Sequence, residues 1–190
     1  MKKNQWQGFD MEEWQECLRT ALYQAWQELM EEYDEVYAIS LMASPDLWSF
    51  GIAANTKSYL LEQAGSEQSE DFFYYKYAEE EWGIADAASE EFEDVSEGVR
   101  TFLDEYGDRF LDQEEGCLTE EYQTFRNELF GTCLRTLMEV KEELEGSSKI
   151  AWNFYVKDFF EVEDMEVLYR ILNEDEKRVE EFCSILDYQV

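Results

Sequence analysis

The sequence contains no histidine, and this absence excludes several kinds of chemistry. Ser-His-Asp and Cys-His catalysis, acid–base catalysis by imidazole and histidine-based zinc sites all require that side chain. The glycine motifs GxGxxG and GxxxxGK[ST], which bind phosphates, are also absent. We therefore predict no catalytic residue, no cofactor-binding residue and no metal ligand. The sequence favours a protein that is not an enzyme, and an enzymatic pocket stays open as an alternative.

The cysteines lack the spacing of a redox or metal motif, because no CxxC pair occurs. Cys17, Cys133 and Cys183 fall on the apolar faces of predicted helices, where a free thiol behaves as a small hydrophobic side chain. We expect these thiols to be structural and reduced, as is typical of the cytoplasm.

Long apolar runs are missing too, since no stretch reaches the roughly 18 residues that a membrane-spanning helix needs. The N-terminus is basic at Met1-Lys2-Lys3, but no apolar segment of the kind found in secretion signals follows it. We therefore expect a cytoplasmic protein that does not enter the membrane.

Basic residues are scarce: 15 stand against 47 acidic residues, which gives a formal net charge of −32. Such a charge repels nucleic-acid phosphates and anionic membranes, and it accelerates the approach of cationic partners. We expect no binding to nucleic acid or membranes, and a basic protein is the expected partner. The alternative interpretation is that the acidity only keeps the protein soluble.

The clearest pattern that is present lies in residues Glu35–Leu60. Val36–Met42 is a short run rich in β-branched and aromatic residues, which is typical of a buried strand. Ser44-Pro45-Asp46 predicts a turn, and Trp48–Ala54 predicts an antiparallel return strand. Thr56 is then expected to cap a helix.

The remaining chain alternates long helical patterns with two further predicted strands, at 72–77 and 150–160. Apolar residues recur every three to four positions in 10–32, 86–108, 119–144, 164–172 and 175–186, which predicts five amphipathic helices in addition to the one after Thr56. We expect an α+β fold in which several long helices pack against an antiparallel or mixed sheet of about four strands. No linker divides the chain, so we expect a single domain over residues 1–190.

Aromatic and polar residues at strand ends are the candidate contacts for a partner or for a small ligand, because a rigid scaffold presents side chains there. Tryptophan and tyrosine also often anchor protein interfaces. The candidates are Trp48, Asn55, Thr56, Tyr77, Glu81, Trp82 and Asn173. The competing interpretation is structural: Trp82 covers the core edge and Asn55 bonds the start of a helix.

Three segments, in this order, resemble motifs of the bacterial family catalogued as domain of unknown function 4303. They are Ala53-Ala54-Asn55-Thr56, Lys76-Tyr77-Ala78-Glu79-Glu80-Glu81-Trp82 and Ile171-Leu172-Asn173. In the second motif of that family a basic residue and an aromatic residue are followed four positions later by an acidic residue and tryptophan. The family pattern has proline where this chain has Glu79 and Glu174.

The resemblance implies no activity, and no catalytic residues transfer from it. Some members of that family are thought to occur near bacterial toxin systems, which implies an immunity or antitoxin-like role. An acidic protein can occlude the cationic groove of a nuclease toxin by placing carboxylates where phosphates would bind.

We therefore expect a non-enzymatic, cytoplasmic protein-binding module, with neutralisation of a basic bacterial toxin as the specific hypothesis. One alternative is a small-molecule-binding or enzymatic pocket at the strand ends, formed by Trp48, Asn55, Tyr77 and Trp82. Another is a housekeeping homo-oligomer in which the aromatic segment Phe72–Tyr77 pairs with its own copy. The oligomeric state is left open.

Overall fold

The computed structural model describes residues 6–112, 117–157, 159 and 161–186. In these residues the seven α-helices are α1 (Met11–Glu32), α2 (Lys57–Ala64), α3 (Phe72–Tyr77), α4 (Ser89–Tyr106), α5 (Glu120–Glu143), α6 (Val162–Leu172) and α7 (Glu176–Leu186). The described strands are β1 (Val36–Ala43), β2 (Phe50–Thr56), β3 (Leu111–Asp112), β4 (Cys117–Leu118) and β5 (Ala151–Val156). Short 3-10 turns occupy Glu79–Glu81, Gly107–Arg109 and Ser147–Lys149. None of the helices in the described residues combines the length and the apolar character that a membrane span requires.

These elements form an α+β protein, which confirms the predicted fold class. Strand β1 lies between β2, to which it is antiparallel, and β5, to which it is parallel, so the main sheet is mixed. β3 and β4 form a small separate antiparallel pair. The main sheet of the described residues has three strands instead of the expected four, because one predicted strand is a helix. The strand predicted over 150–160 is confirmed for Ala151–Val156, and Asp158 and Phe160 lie outside the described residues.

The hairpin of β1 and β2 forms where the sequence predicted it, around a turn organised by Ser44. The Ser44 carbonyl accepts a hydrogen bond from the backbone N–H of Leu47 at 2.9 Å. The Ser44 hydroxyl oxygen accepts from the backbone N–H groups of Trp48 and Ser49, each at 3.2 Å. This small side chain therefore satisfies backbone donors that the turn would otherwise leave unpaired.

One face of the sheet carries the main core, against which α1, α4 and α5 pack. The predicted apolar stripe of α1 is confirmed, since Trp14, Leu18, Leu22, Ala25 and Leu29 are all buried. Asp10 caps this helix by accepting hydrogen bonds from the N–H groups of Glu12 and Glu13 at 3.0 and 3.2 Å. Trp26 of α1 stacks on Trp152 of β5 with ring centroids 5.8 Å apart, which ties the helix to the sheet.

The opposite face of the sheet is made of small and polar side chains. Its buried members are Ala38, Ser40, Ala53, Asn55, Ala151 and Asn153. The segment from α3 to Ile84 covers part of this face. The backbone of Ile84 exchanges two hydrogen bonds, of 2.8 and 3.2 Å, with Ala54 along the free edge of β2. Both faces of the sheet therefore pack against other elements.

The prediction of a strand at Phe72–Tyr77 is wrong, because this segment forms α3. The strand was predicted because aromatic residues favour strands in general, although the run lacks the alternation of a strand with one buried face. In the helix Tyr77 is buried, whereas Phe73 and Tyr74 are 40% and 46% exposed. The segment offers no strand edge, so the alternative in which this edge pairs with a second copy loses its structural basis.

The expectation for the cysteines holds for only part of the set. Cys133 is buried in α5 and Cys183 is half-buried in α7, but Cys17 is exposed. Cys17 lies on α1 beside the stripe of Trp14 and Leu18, at a helical position that points away from the core. The placement of Cys17 on an apolar face was therefore wrong.

Candidate functional site

The predicted candidate residues do not form one pocket. Trp48 lies at the turn of the hairpin and is 49% exposed, whereas Asn55 lies at the opposite end of β2. Most of the length of the seven-residue strand β2 lies between the two positions. The predicted pocket therefore does not form in the described residues, because its members Trp48, Asn55, Tyr77 and Trp82 do not line one common space. The other candidates lie at the face of the sheet opposite the main core or at the sheet edges.

Asn55 and Thr56 connect the hairpin to α2 and α3. The Asn55 side-chain amide donates hydrogen bonds to the Tyr37 hydroxyl oxygen at 3.1 Å and to the Tyr75 carbonyl at 3.4 Å. The Tyr37 hydroxyl donates in turn to the Lys76 carbonyl at 3.1 Å. These carbonyls belong to the last turn of α3, where a helix leaves its acceptors unpaired. Thr56 caps α2 as predicted, since its hydroxyl oxygen accepts from the Tyr59 N–H at 3.2 Å.

Tyr77 joins α3 to α6 and α7. Its ring contacts those of Tyr169 and Phe182, with centroid distances of 6.2 and 5.7 Å. Its hydroxyl donates to the Glu181 carboxylate at 3.0 Å, and Lys76 Nζ lies 2.5 Å from the same carboxylate oxygen. Burial alone would raise the pKa of Glu181, but the hydrogen bond and charge of Lys76 outweigh it and lower that pKa.

Glu79 is a buried carboxyl that the sequence did not single out as functional. It opens the 3-10 turn after α3 and accepts a hydrogen bond from the side-chain amide of Asn153 on β5. Burial raises the pKa of Glu79 to about 7, although the hydrogen bond from Asn153 acts in the opposite direction. The environment therefore favours the protonated form of this carboxyl relative to a carboxyl in water.

Glu81 and Trp82 end the same segment but lie in different environments. Glu81 is exposed, and its carboxylate accepts a hydrogen bond of 3.4 Å from the Tyr74 hydroxyl. Trp82 is buried against Ala38, Ala53 and Ala151, whose small side chains leave room for the indole ring on the sheet. Asn173, at the end of α6, is buried and bonds to the backbone of Trp152 on β5. The contacts of Trp82 and Asn173 hold the sheet to the elements around it.

A cleft with a volume of about 390 Å³ lies beside α2, α3 and the start of α7. We call it the cationic cleft, because its lining includes the basic residues Lys57, Lys76, Lys149, Lys177 and Arg178. Of the predicted candidates, Tyr77 lines it. Little in the sequence indicates this cleft, since its basic residues are spread over more than 100 positions and only folding brings them together.

A second feature is the acidic outer face of α4. Asp94, Glu97, Thr101 and Glu105 follow one another along one side of the helix and border a shallow depression of about 260 Å³. We call these four residues the acidic stripe. The floor of the depression includes Gly8 and Gly98, which have no side chains, and the buried ring of Phe102. Arg100, the basic residue of α4, is 2.5 Å from Glu93 and so is already paired.

Fold and surface together define an acidic α+β protein with a cationic cleft and a carboxylate-lined helix face. The chain belongs to the family described as Domain of unknown function (DUF4303), whose family model matches residues 18–173. This match confirms the resemblance seen in the three sequence motifs, all of which lie inside it. No curated protein and no solved structure matches the chain.

Proposed function

We propose that this protein binds a basic protein partner through the acidic stripe, without catalysing a reaction. The observation that carries the proposal is the depression on α4, which is bordered by the carboxylates of Asp94, Glu97 and Glu105. A lysine or arginine of the partner would enter the depression and direct its charge to these carboxylates.

The net charge of −32 supports the same role through kinetics. A field of that sign and size accelerates the encounter with a cationic surface, and the acidic stripe supplies local contacts once the partner arrives. Neutralisation of a basic bacterial toxin in the cytoplasm is the specific form of the proposal. In that role, the carboxylates of α4 occupy the groove in which the toxin would bind phosphates.

A stripe variant tests the proposal directly. Asp94→Asn, Glu97→Gln and Glu105→Gln remove three charges from the depression with little change in shape. The control variant Glu161→Gln, Glu163→Gln and Glu174→Gln removes the same charge from exposed positions around α6. Both variants have the same net charge, so a difference in partner binding between them is caused by the loss of the acidic stripe and not by the change in overall charge.

The first measurement is affinity capture from the native host at low salt, with the tagged wild type and both variants. We expect a basic protein to bind the wild type and the control variant and to be lost from the stripe variant. With that protein purified, its affinity for the wild type should fall steeply as salt rises, because exposed charges are screened. Retention of the same partner by the stripe variant contradicts the proposal, as does an affinity that is independent of salt.

The toxin role has its own test. The captured protein is expressed alone in host cells and then together with each version of the acidic protein. We expect it to arrest growth alone, the wild type and the control variant to restore growth, and the stripe variant to restore it poorly. A captured protein that leaves growth unchanged contradicts the toxin role, while the binding role is judged by the affinity measurements.

A further inference from the structure

The cationic cleft concentrates positive charge in a chain whose overall charge is strongly negative. It is lined by five of the chain's 15 basic residues, together with the acidic residues Glu67, Asp175 and Glu181. A concave surface with low-dielectric walls strengthens the local potential of the charges that line it. The local excess of positive charge should therefore attract an anion into the cleft.

Two of the three acidic residues in the lining are already engaged. Glu181 accepts from Lys76 at 2.5 Å and from the Tyr77 hydroxyl at 3.0 Å, and it lies 3.7 Å from Lys177. Asp175 accepts a hydrogen bond from the backbone N–H of Arg178 at 3.2 Å. Glu181 therefore pairs with both Lys76 and Lys177, and Asp175 bonds to the backbone at the start of α7.

The remaining basic residues have no carboxylate partner in the described part of the chain. Lys57 and Lys149 are exposed at the cleft and make no ion pair there. Arg178 donates to the backbone carbonyls of Ile150 and Lys149 at 2.9 and 3.1 Å. Those two bonds fix the guanidinium in place and leave its charge uncompensated. With Glu67 and the two engaged carboxylates counted, five basic and three acidic residues give the lining a net formal charge of +2, which matches a dianion.

The walls of the cleft are apolar and aromatic between these charges. Tyr37, Phe72 and Leu60 line it, and the volume of about 390 Å³ lies within the range of small-molecule sites, about 300–1,000 Å³. A ligand of matching chemistry carries a compact dianionic group and a flat apolar group. We infer that the cationic cleft binds a small phosphate monoester with a flat ring, as in a nucleoside monophosphate, held by Lys57, Lys149 and Arg178.

Calorimetric titration with four probes tests this site. The probes are AMP and phenyl phosphate, which carry both groups, adenosine, which lacks the phosphate, and inorganic phosphate, which lacks the ring. We expect one molecule of AMP or phenyl phosphate to bind per chain, at least about tenfold more tightly than adenosine or inorganic phosphate. Failure of both phosphate monoesters to bind at about 10 mM overturns the inference. If inorganic phosphate binds as tightly as the phosphate monoesters, the apolar walls do not contribute to binding and the inferred ring contact is wrong.

A pair of matched variants locates the site. Lys57→Gln with Lys149→Gln removes two exposed charges that make no ion pair in the described structure, so the fold should be retained. Lys141→Gln with Lys157→Gln changes the net charge equally at positions that do not line the cleft. We expect the cleft variant to bind the better monoester at least about tenfold more weakly and the control variant to bind it like the wild type. Equal affinity in both variants places the binding elsewhere and overturns the inference.

Discussion

The side-chain amide of Asn173 pairs with both backbone groups of Trp152, as a neighbouring strand would. Its nitrogen donates to the Trp152 carbonyl at 2.7 Å, and its oxygen accepts from the Trp152 N–H at 3.0 Å. Trp152 lies on β5, the edge strand of the main sheet, whose outer backbone groups have no strand partner among the described residues. Asn173 therefore closes this edge at one residue, and Ile84 closes the other edge by pairing with Ala54.

Substitution of Asn173 should destabilise the fold strongly. Asn173→Ala leaves the N–H and carbonyl of Trp152 buried without partners, and each unpaired group costs about 1–3 kcal/mol. We expect a loss of about 3 kcal/mol in the free energy of unfolding, measured by urea denaturation. Asn127→Ala on the exposed side of α5 is the control and should change it by less than about 0.5 kcal/mol. If Asn173→Ala lowers the free energy of unfolding no more than Asn127→Ala does, the pairing of Asn173 with the sheet edge contributes little to stability.

Glu79 should make the stability depend on pH. Its folded-state pKa of about 7 exceeds the ordinary value of 4.5, so between these values the unfolded chain releases the proton first. Stability associated with this group is therefore lost as pH rises from about 4.5 to about 7, by about 3 kcal/mol in total. We expect Glu79→Gln to match the wild type near pH 4.5 and to exceed its stability above pH 7.

The control for this prediction is Glu81→Gln, at the exposed end of the same 3-10 turn. The free energy of unfolding is measured for all three proteins over the same pH series. The difference between Glu81→Gln and the wild type should stay small and constant. A difference between Glu79→Gln and the wild type that does not change with pH would mean that the carboxyl titrates normally.

The thiols of Cys17 and Cys133 should differ sharply in reactivity. Cys17 is exposed on α1, whereas burial in α5 raises the pKa of the Cys133 thiol and shields it from reagents. We expect iodoacetamide to modify Cys17 within minutes in the native protein and Cys133 only in denaturant, as followed by peptide mass spectrometry. Rapid native labelling of Cys133 would show that α5 opens readily.

Moderate salt should stabilise the protein. A formal net charge of −32 destabilises the compact state through self-repulsion, and salt screens that repulsion. Between about 10 and 150 mM the screening length falls from about 30 to 8 Å. We expect a gain on the order of 1 kcal/mol, or roughly 2–4 °C in the thermal midpoint. Sodium chloride and potassium chloride should act equally, and a midpoint that falls with either salt would contradict the prediction.

Local sequence signals were sufficient to predict the parts of the fold that depend on interactions between residues close together in the chain. The apolar spacing around Leu18 and Leu22 predicted α1, and Thr56 was correctly predicted as the cap of α2. The turn at Ser44 was predicted for the same reason, since turn and cap residues bond to backbone groups only a few positions away. Such interactions depend on neighbouring residues, so the local sequence is enough to predict them.

Tertiary contacts decided the conformation of Phe72–Tyr77. Its aromatic composition favours a strand, yet the hydroxyl of Tyr37 and the amide of Asn55 bond to the carbonyls at the end of α3. These partners stand about 20 or more positions earlier in the chain and stabilise the helix against its local preference. The segment itself contains neither of them, so its own sequence could not predict the helix.

The same limit applies to the surfaces that carry the two proposals. The acidic stripe is visible in sequence, because Asp94, Glu97 and Glu105 share one face of a single predicted helix. The cationic cleft is not visible, because Lys57, Lys149 and Arg178 come from three distant segments. The sequence by itself determined the amphipathic helices, the hairpin and the net charge. Only the tertiary structure decided the helical state of α3 and the convergence of basic residues, since both depend on contacts between residues far apart in the chain.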